Sequence, residues 1–520
     1  MTLANPLNAR SWWTNAPELE FVLACGRAPY DAAAAQRAAG LLRSPLDWDE
    51  VLRLSRYHGL IPNLNRALQA LSVSEVPRDV RATLEAEARA SAARGRFLTG
   101  ELFRVLDALR ESNIPALPLK GPVLAELLYG DPGARELADL DILVPRADAL
   151  RAVEVAVSLG YTPKWHASPQ FFERTLRHAC DYELVNSRTG HLLEIHWATQ
   201  PSSGIEPIEI DRAFDATIQV SICGRSVPFF NPETLCLFLS GHGAKHLWLP
   251  LKNLVDFARL LDVYPNLDWD DVFRRAEHTR SRRMVLFALS TLQSLLQVEL
   301  LPSLRERVAH GPALSRMLGL SRKLLREERA ATVWEHLTAR FHLGERLRDR
   351  VDLGLKMLFV VTPGDWESLP GRPRPAWVYW LWRPLRLVAK YSPSRLTPHP
   401  MNFLRLVWLV GLAAVIVGSL APAQSPVIGL IDRVHVNDKV EHLTAYAVLA
   451  ALPALRQFRC RRLAPTLVFL CILGGVLELG QLFSPGRSCD WHDLLANVCG
   501  ILAGAALVCI LQRFASPAPA

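Results

Sequence analysis

At 520 residues the chain is too long for one hydrophobic core, and two to four domains are expected. Half of its residues are hydrophobic beside 21% charged ones, a combination that requires the apolar residues to be concentrated somewhere, and they are, after Phe403. The formal charge of +8 suits nucleic acid, anionic lipid or phosphorylated small molecules and does not choose among them. Nine scattered cysteines without a C-x-x-C pair exclude a disulfide framework and a cysteine-based zinc site, and read as reduced thiols.

Met1 to Pro17 holds Asn5, Arg10, Trp12 and Trp13, with Glu18 next, and no charged region followed by an apolar run. No secretory signal is read there, so the first domain is expected in the cytoplasm. Residues 18–110 have helical periodicity, clearest over Val80 to Ala93 and Leu98 to Leu109, and 1–110 form an expected helical subdomain.

From Ile114 the texture changes, and an α/β core is expected over 111–231. A short apolar run ends at Leu119, Lys120-Gly121 makes a turn, and a helix is expected from Pro122 to Tyr129. A strand follows over Asp139 to Val144, then a helix from about Ala147 to Leu159 and a second strand over Leu192 to Trp197. After Pro232 the chain is again helical, forming a subdomain to about residue 370, with Thr234 to Leu261 the clearest stretch.

Alternate residues of a strand share a face, so Asp139 and Asp141 point the same way. Two such carboxylates repel, and a divalent cation relieves the repulsion. A solvated acidic strand end is the plain alternative for this motif alone. Leu119-Lys120-Gly121-Pro122 joins a strand to a helix N-terminus, where a neighbouring lysine can receive phosphate; an ordinary turn has the same sequence. Leu192 to Trp197 would aim Glu194 and His196 at one face, and a third carboxylate on a neighbouring strand would complete a metal site. His242 and His246 stand four apart with Lys245 between them, but the glutamate of H-E-x-x-H is missing. A helix lining a nucleotide cleft, with Lys245 near phosphate, and simple packing are the other readings. His58 and Asp256 read as structural.

Leu119-Lys120-Gly121, Tyr129-Gly130-Asp131, Arg135, Asp139-Leu140-Asp141 and Glu194-Ile195-His196-Trp197 together resemble the polymerase-beta-like nucleotidyltransferases, and more narrowly an uncharacterised nucleotidyltransferase family. The similarity runs from the region of Trp48 and Tyr57-His58-Gly59 to the helix around Asp256, and further to Pro363-Gly364-Asp365-Trp366. The resemblance implies a small mixed sheet flanked by helical subdomains, with Asp139, Asp141 and Glu194 as metal ligands for Mg²⁺ or Mn²⁺ and a nucleoside triphosphate as substrate. It implies that Glu194 helps activate a hydroxyl acceptor and that Lys120 and Arg135 neutralise phosphate, with Gly121, His196 and Lys245 beside the nucleotide. Better-characterised relatives carry Gly-Ser where this chain has Lys120-Gly121. That departure keeps open a second reading, a scaffold or sensor that binds nucleotide without turnover. The sequence does not name the acceptor; a protein or a lipid-linked glycan is the expectation, and nucleic acid is disfavoured, because no basic and aromatic groove can be read.

Residues 371–402 form a connector with Arg372, Arg374, Arg383, Arg386, Lys390 and Arg395 and no acidic residue. Each such cation gains about 1 kcal/mol beside anionic lipid, so the connector reads as a headgroup-facing segment or, more plainly, a basic linker. Over 403–520 four apolar segments follow, Leu404 to Ala421, Val440 to Leu455, Leu463 to Phe483 and Leu494 to Leu511, each near the ~17–25 residues that span a bilayer. Cations before the first segment and at Arg456, Arg459, Arg461 and Arg462 put the N-terminal domain, that loop and the tail after Arg513 on the cytoplasmic side of an expected four-helix transmembrane domain.

Polar groups gather at the opposite ends: Asp438 and His442, Glu478 and Gln481, Asp493 and Asn497, each pair on one helix face, with Arg487 and Asp490 in the loop between the last two helices. They either converge on a pocket or lock the helices by hydrogen bonding. Gly500 and Gly504 form a small-x-x-x-small pair. Asp438 to His442, Ala445-Tyr446, Glu478-x-x-Gln481 and Pro485-Gly486-Arg487 through Asn497-x-x-Gly500 resemble the VanZ-like family, over about 115 residues. The resemblance implies a multi-pass protein of a bacterial-type inner membrane with a cell-envelope role, and no established biochemical activity.

Overall fold

The computed structural model describes residues 16–71, 76–164, 176, 179–201, 204–308, 311–362, 438–456, 464–481 and 491–515, with isolated positions between 365 and 419. The chain divides into two compact units, Met1–Pro363 and Gly364–Ala520.

The first unit opens with five helices: α1 (Pro17–Arg27), α2 (Ala32–Leu41), α3 (Trp48–His58), α4 (Ile61–Leu71) and α5 (Arg78–Glu111). Asp31 and Asp47 cap α2 and α3 by accepting backbone N–H groups, and Gly59 ends α3 in the left-handed region at φ +68. The two helical stretches expected within 80–109 are one continuous helix, α5. Then come β1 (Leu117–Pro118), α6 (Pro122–Tyr129), β2 (Asp139–Leu143), α7 (Ala149–Ser158), β3 (Tyr161–Pro163), β4 (Asp181–Asn186) and β5 (Leu192–His196). The strands form one mixed sheet in the order β1-β2-β5-β4-β3, parallel only between β2 and β5.

The alternation seen in β2 and β5 holds across the sheet. Leu140 and Ile142, Leu193 and Ile195, and Tyr182 and Leu184 are buried together on one face. Helices α5 and α7 pack there, so the opposite face is left for polar side chains. Truncating Leu140 or Ile195 removes a fully enclosed side chain from this layer, at a cost of about 2–5 kcal/mol.

A short helix α8 (Ile210–Asp215) leads to a hairpin of β6 (Thr217–Ile222) and β7 (Arg225–Phe230), turned by Cys223 and Gly224, both at positive φ. Eight helices complete the unit: α9 (Pro232–Lys245), α10 (Lys252–Val263), α11 (Trp269–Thr279), α12 (Arg282–Thr291), α13 (Pro302–Arg307), α14 (Pro312–Glu327), α15 (Val333–Leu343) and α16 (Leu347–Phe359). The helical stretch read over 234–261 is thus two helices. Leu247 and Trp248 adopt positive φ, Pro250 follows, and neither feature continues a helix.

His58 at the end of α3 is fully buried, and neither ring nitrogen has a hydrogen-bond partner among the described residues. Burial, aided by the nearby Arg53 charge, pushes its pKa down to about 4. The unfolded chain takes up this proton below about pH 6.5, while the folded one holds it off until about 4. Stability is therefore lost as pH falls through that window, by up to about 3 kcal/mol for this one group. His58→Phe is expected to flatten that part of the acid profile, read as the urea midpoint at pH 7.5 and pH 5.0.

In the second unit the described helices are α17 (Asp438–Arg456), α18 (Ala464–Gln481) and α19 (Trp491–Ala515). Two stretches are long and apolar enough to cross a membrane, Ala464–Gln481 and Trp491–Val508. Helix α17 falls short because Asp438, Lys439 and Glu441 crowd its first turn and Arg456 ends it. The expected first span, 404–421, lies outside the described residues apart from isolated helical positions. Within the connector, Arg383 and Arg386 ion-pair with the fully buried Asp365, so these two cations meet a carboxylate of the preceding motif. Arg372, Arg374, Lys390 and Arg395 lie outside the described residues.

Candidate active site

The polar face of the mixed sheet gathers the chemistry. Asp141 of β2 lies beside Glu194 of β5, which lies beside Glu183 of β4, and His196 of β5 lies beside Asp181 of β4. Directly paired residues share a face, so Asp139, Asp141, Glu194, His196, Asp181 and Glu183 all project to the same side. Lys164 Nζ pairs with Glu183 at 2.5 Å on the rim.

At the centre, His196 Nε2 is 3.2 Å from Asp141 Oδ1 and 3.2 Å from Glu194 Oε2. The Lys120 ammonium stands 3.2 Å from Asp141 Oδ2 and 3.5 Å from Asp139 Oδ2. Gly121 positions that lysine: its φ of +76 carries the chain from β1 into α6, a conformation L side chains rarely adopt. Pro122 then occupies the first helical turn.

The charges divide. Burial works against the Asp141 carboxylate, but Lys120 and His196 outweigh it and hold its pKa well below the ordinary value. Burial, joined by the neighbouring Asp141 and Asp139, raises the Glu194 pKa, with His196 only partly opposing. Burial also opposes the His196 imidazolium, yet its contacts with Asp141, Cys180 and Glu194 hold that pKa well above 6.5. Lys120 is raised in spite of burial, by Asp141 and Asp139. Two adjacent carboxyls pushed in opposite directions is the pattern by which a site separates a permanently ionised ligand from a proton acceptor.

Asp141, Glu194 and His196 each bring one ligand atom within 4.8 Å of the others, and so do Cys180, Asp181 and His196. The first set, two hard carboxylates and an imidazole with Asp139 alongside, fits a divalent cation. The Lys120 ammonium also stands between Asp139 and Asp141. Cys180 and Asp181 were not singled out in the sequence, although the alternation of Asp181 to Val185 marks β4 as a strand of the same kind as β5.

Arg135 lies in the loop before β2. Its Nε donates to Asp256 Oδ2 at 2.7 Å, and the Tyr129 hydroxyl donates to Asp256 Oδ1 at 2.7 Å. Arg135 and Asp256 are both buried. Asp131 accepts from the Gly133 backbone and pairs with Arg66 at 3.0 Å. Tyr129 and Arg135 therefore tie α6 and the loop before β2 to α10, and Asp131 ties the same loop to α4. On α9, burial and the charge of Lys120 push the His242 pKa well below 6.5, and burial and Lys245 push His246 down to about 3. Their rings are 4.9 Å apart. They belong to none of the metal-type clusters among the described residues. Lys245 is half-buried, near enough to Cys180 for its charge to be felt there.

In the second unit, His442 (α17), Glu478 and Gln481 (α18), and Asp493 and Asn497 (α19) turn inward, and all but the half-buried His442 are buried. Asp438 begins α17, and its side chain, like Arg487 and Asp490, lies outside what the structure describes.

Comparison with known proteins matches residues 44–297 to the family model "Uncharacterised nucleotidyltransferase" and residues 376–512 to the family model "VanZ/LLP1". Among solved structures, an antigenic nucleotidyltransferase-like protein from Paracoccidioides brasiliensis is similar at 14% identity, over 40% of this chain and 94% of that one, with a TM-score of 0.22. No curated protein matches the chain. The chain thus joins a nucleotidyltransferase-like domain, over residues 44–297, to a C-terminal VanZ/LLP1 domain.

Proposed function

We propose that the protein is a membrane-tethered, metal-dependent nucleotidyltransferase that moves a nucleotidyl group from a nucleoside triphosphate to a hydroxyl acceptor. The observation that carries this reading is the convergence of Asp139, Asp141, Glu194 and His196 from two parallel strands onto one sheet face. Asp139, Asp141 and Glu194 would hold Mg²⁺ or Mn²⁺, which supplies charge neutralisation for phosphoryl oxygens during an in-line displacement. Glu194, with its raised pKa, takes the proton of the acceptor hydroxyl. His196 keeps Asp141 and Glu194 in place through its two contacts. Lys120 and Lys245 meet phosphate charge, and Arg135 acts by fixing the loop that enters β2.

The VanZ/LLP1 match and two helices of spanning length support a membrane attachment. Four spans, a cytoplasmic N-terminal domain and an acceptor drawn from envelope proteins or lipid-linked glycans complete the proposal, on the loop charges and the polar helix ends. The full chain in detergent, supplied with labelled nucleoside triphosphates, Mg²⁺ or Mn²⁺ and membrane extract, should transfer label to an acceptor with release of pyrophosphate. An Asp139→Asn, Asp141→Asn chain should transfer none. Tight nucleotide binding with no pyrophosphate released by the unaltered chain would sink the enzyme reading.

One observation favours a second reading, a nucleotide-binding scaffold or sensor: Lys120 already neutralises Asp139 and Asp141. Removing it as Lys120→Met should tighten Mn²⁺ binding in the absence of nucleotide by about tenfold, because two carboxylates so close otherwise repel. An electron paramagnetic resonance titration measures this directly. An unchanged or weakened Mn²⁺ affinity means that Lys120 does not compete for the site.

A further inference from the structure

The second unit carries buried chemistry that nucleotidyl transfer does not use. His442 Nδ1 lies 3.0 Å from Asn497 Oδ1 and 3.7 Å from Glu478 Oε1, and Lys439 Nζ lies 3.6 Å from Asp493 Oδ1. His442, Glu478 and Asp493 come from three different helices, and each presents a ligand atom within 4.8 Å of the other two. Glu478 is 3% exposed and Asp493 5%, so water does little to screen them.

Helix packing forces this meeting. A Cβ on Gly500 would fall 2.2 Å from the Leu443 carbonyl oxygen, and one on Gly504 would fall 2.1 Å from that of Ala447. Backbone therefore lies against backbone between α17 and α19, which brings Asn497 within reach of the His442 ring. On the third side, Gly474 leaves a hollow one turn before Glu478. A Cβ there would stand 3.3 Å from the Tyr446 hydroxyl and 3.4 Å from Asn497 Nδ2. The Tyr446 hydroxyl, on a side chain only 1% exposed, borders this hollow and has no hydrogen-bond partner among the described residues. A buried hydroxyl left over at this hollow, one helical turn from Glu478 and beside Asn497, marks a place shaped for something polar.

Charge says what kind of ligand. Two ionised carboxylates about 5 Å apart repel by roughly 3 kcal/mol even at an effective dielectric of 20. Lys439 offsets this only in part, because it is half exposed at the rim. A divalent cation cancels both charges at once, and an imidazole donor beside carboxylates selects the zinc-like transition metals over Mg²⁺.

We propose that His442, Glu478 and Asp493 form a divalent transition-metal site in the VanZ/LLP1 domain, of the zinc class, with Asn497 and Tyr446 orienting the ligands from behind. The site is separate from the one built on Asp139 and Asp141, and it stands whether or not that one is catalytic.

The test uses the full chain in detergent, carrying Asp139→Asn and Asp141→Asn to silence the first site, titrated with Co²⁺ and read by visible absorption and metal analysis. One equivalent of Co²⁺ with ligand-field bands is expected, and Glu478→Gln with Asp493→Asn should weaken it at least about 100-fold. His442→Cys keeps a donor in place and should add an intense sulfur-to-cobalt charge-transfer band, a signal that a purely structural role cannot produce. If the first variant fails to fold, the cysteine variant decides the matter. An absent equivalent, or one indifferent to these changes, overturns the proposal and leaves a metal-free hydrogen-bonded network.

Discussion

Asp141→Asn is expected to depress nucleotidyl transfer by about a thousandfold, the scale on which removing one stabilising group from a charged reaction centre acts. Asp141 is only 4% exposed and is the one carboxylate touched by both Lys120 and His196. Asparagine keeps its shape and loses its charge, so three things go together. The proposed metal ligand disappears, the positive charge on His196 loses its principal support, and Lys120 is left to Asp139 alone. The fold should survive, because the Lys120–Asp139 pair and the β2–β5 register remain. Pyrophosphate release beside a thermal melt of the same preparation separates lost chemistry from lost structure. A variant that melts normally and retains a tenth of the rate would remove Asp141 from the reaction centre.

Asp256→Ala should destabilise the first unit by about 3–5 kcal/mol, because breaking a buried pair strands the surviving charge. Arg135 is 6% exposed and Asp256 1%, at 2.7 Å, and the Tyr129 hydroxyl loses its acceptor in the same step. Replacing both partners by apolar residues, as Arg135→Met with Asp256→Leu, should recover most of that loss, since no charge is then left buried. Urea unfolding of the full chain in detergent measures both. The double variant also settles what Arg135 does: transfer that persists in a refolded Arg135→Met, Asp256→Leu chain makes Arg135 a brace, and transfer lost at full stability makes it a phosphate ligand.

The sheet was legible where alternation was strongest. Asp139-Leu140-Asp141 and Glu194-Ile195-His196 announce their faces within five residues, and the structure puts them side by side. The helix from Pro122 to Tyr129 was readable from its proline start and its glycine stop. Strand β4 was not singled out, because Asp181 and Glu183 resemble loop residues until the partner strand is known to be acidic as well. The partner of Arg135 was unreadable for a different reason. Asp256 lies 121 residues away, and nothing local tells an arginine whether its carboxylate comes from a ligand or from its own chain. Lys120 is the same problem on a shorter scale: a lysine at a helix start suits phosphate, and only the fold reveals two carboxylates nearer to hand. In the second unit the helix faces were legible from spacings of three and four, whereas the meeting of three helices depended on glycines whose partners, Leu443 and Ala447, carry no signal of their own.

The two faces of the mixed sheet are the same strands read in opposite parities, carboxylates on one and Leu140, Ile142, Leu193 and Ile195 on the other. A slip of one residue in β2 would thrust Asp139 and Asp141 under α5 and α7 and push Leu140 and Ile142 to the polar face, and a slip in β5 would do the same to Glu194 and His196 against Leu193 and Ile195. Register here is policed from both sides at once. Insertions in the connections after β2 and after β5 are thereby absorbed as loop, and the spacing of the four central side chains becomes a property that chain length cannot disturb.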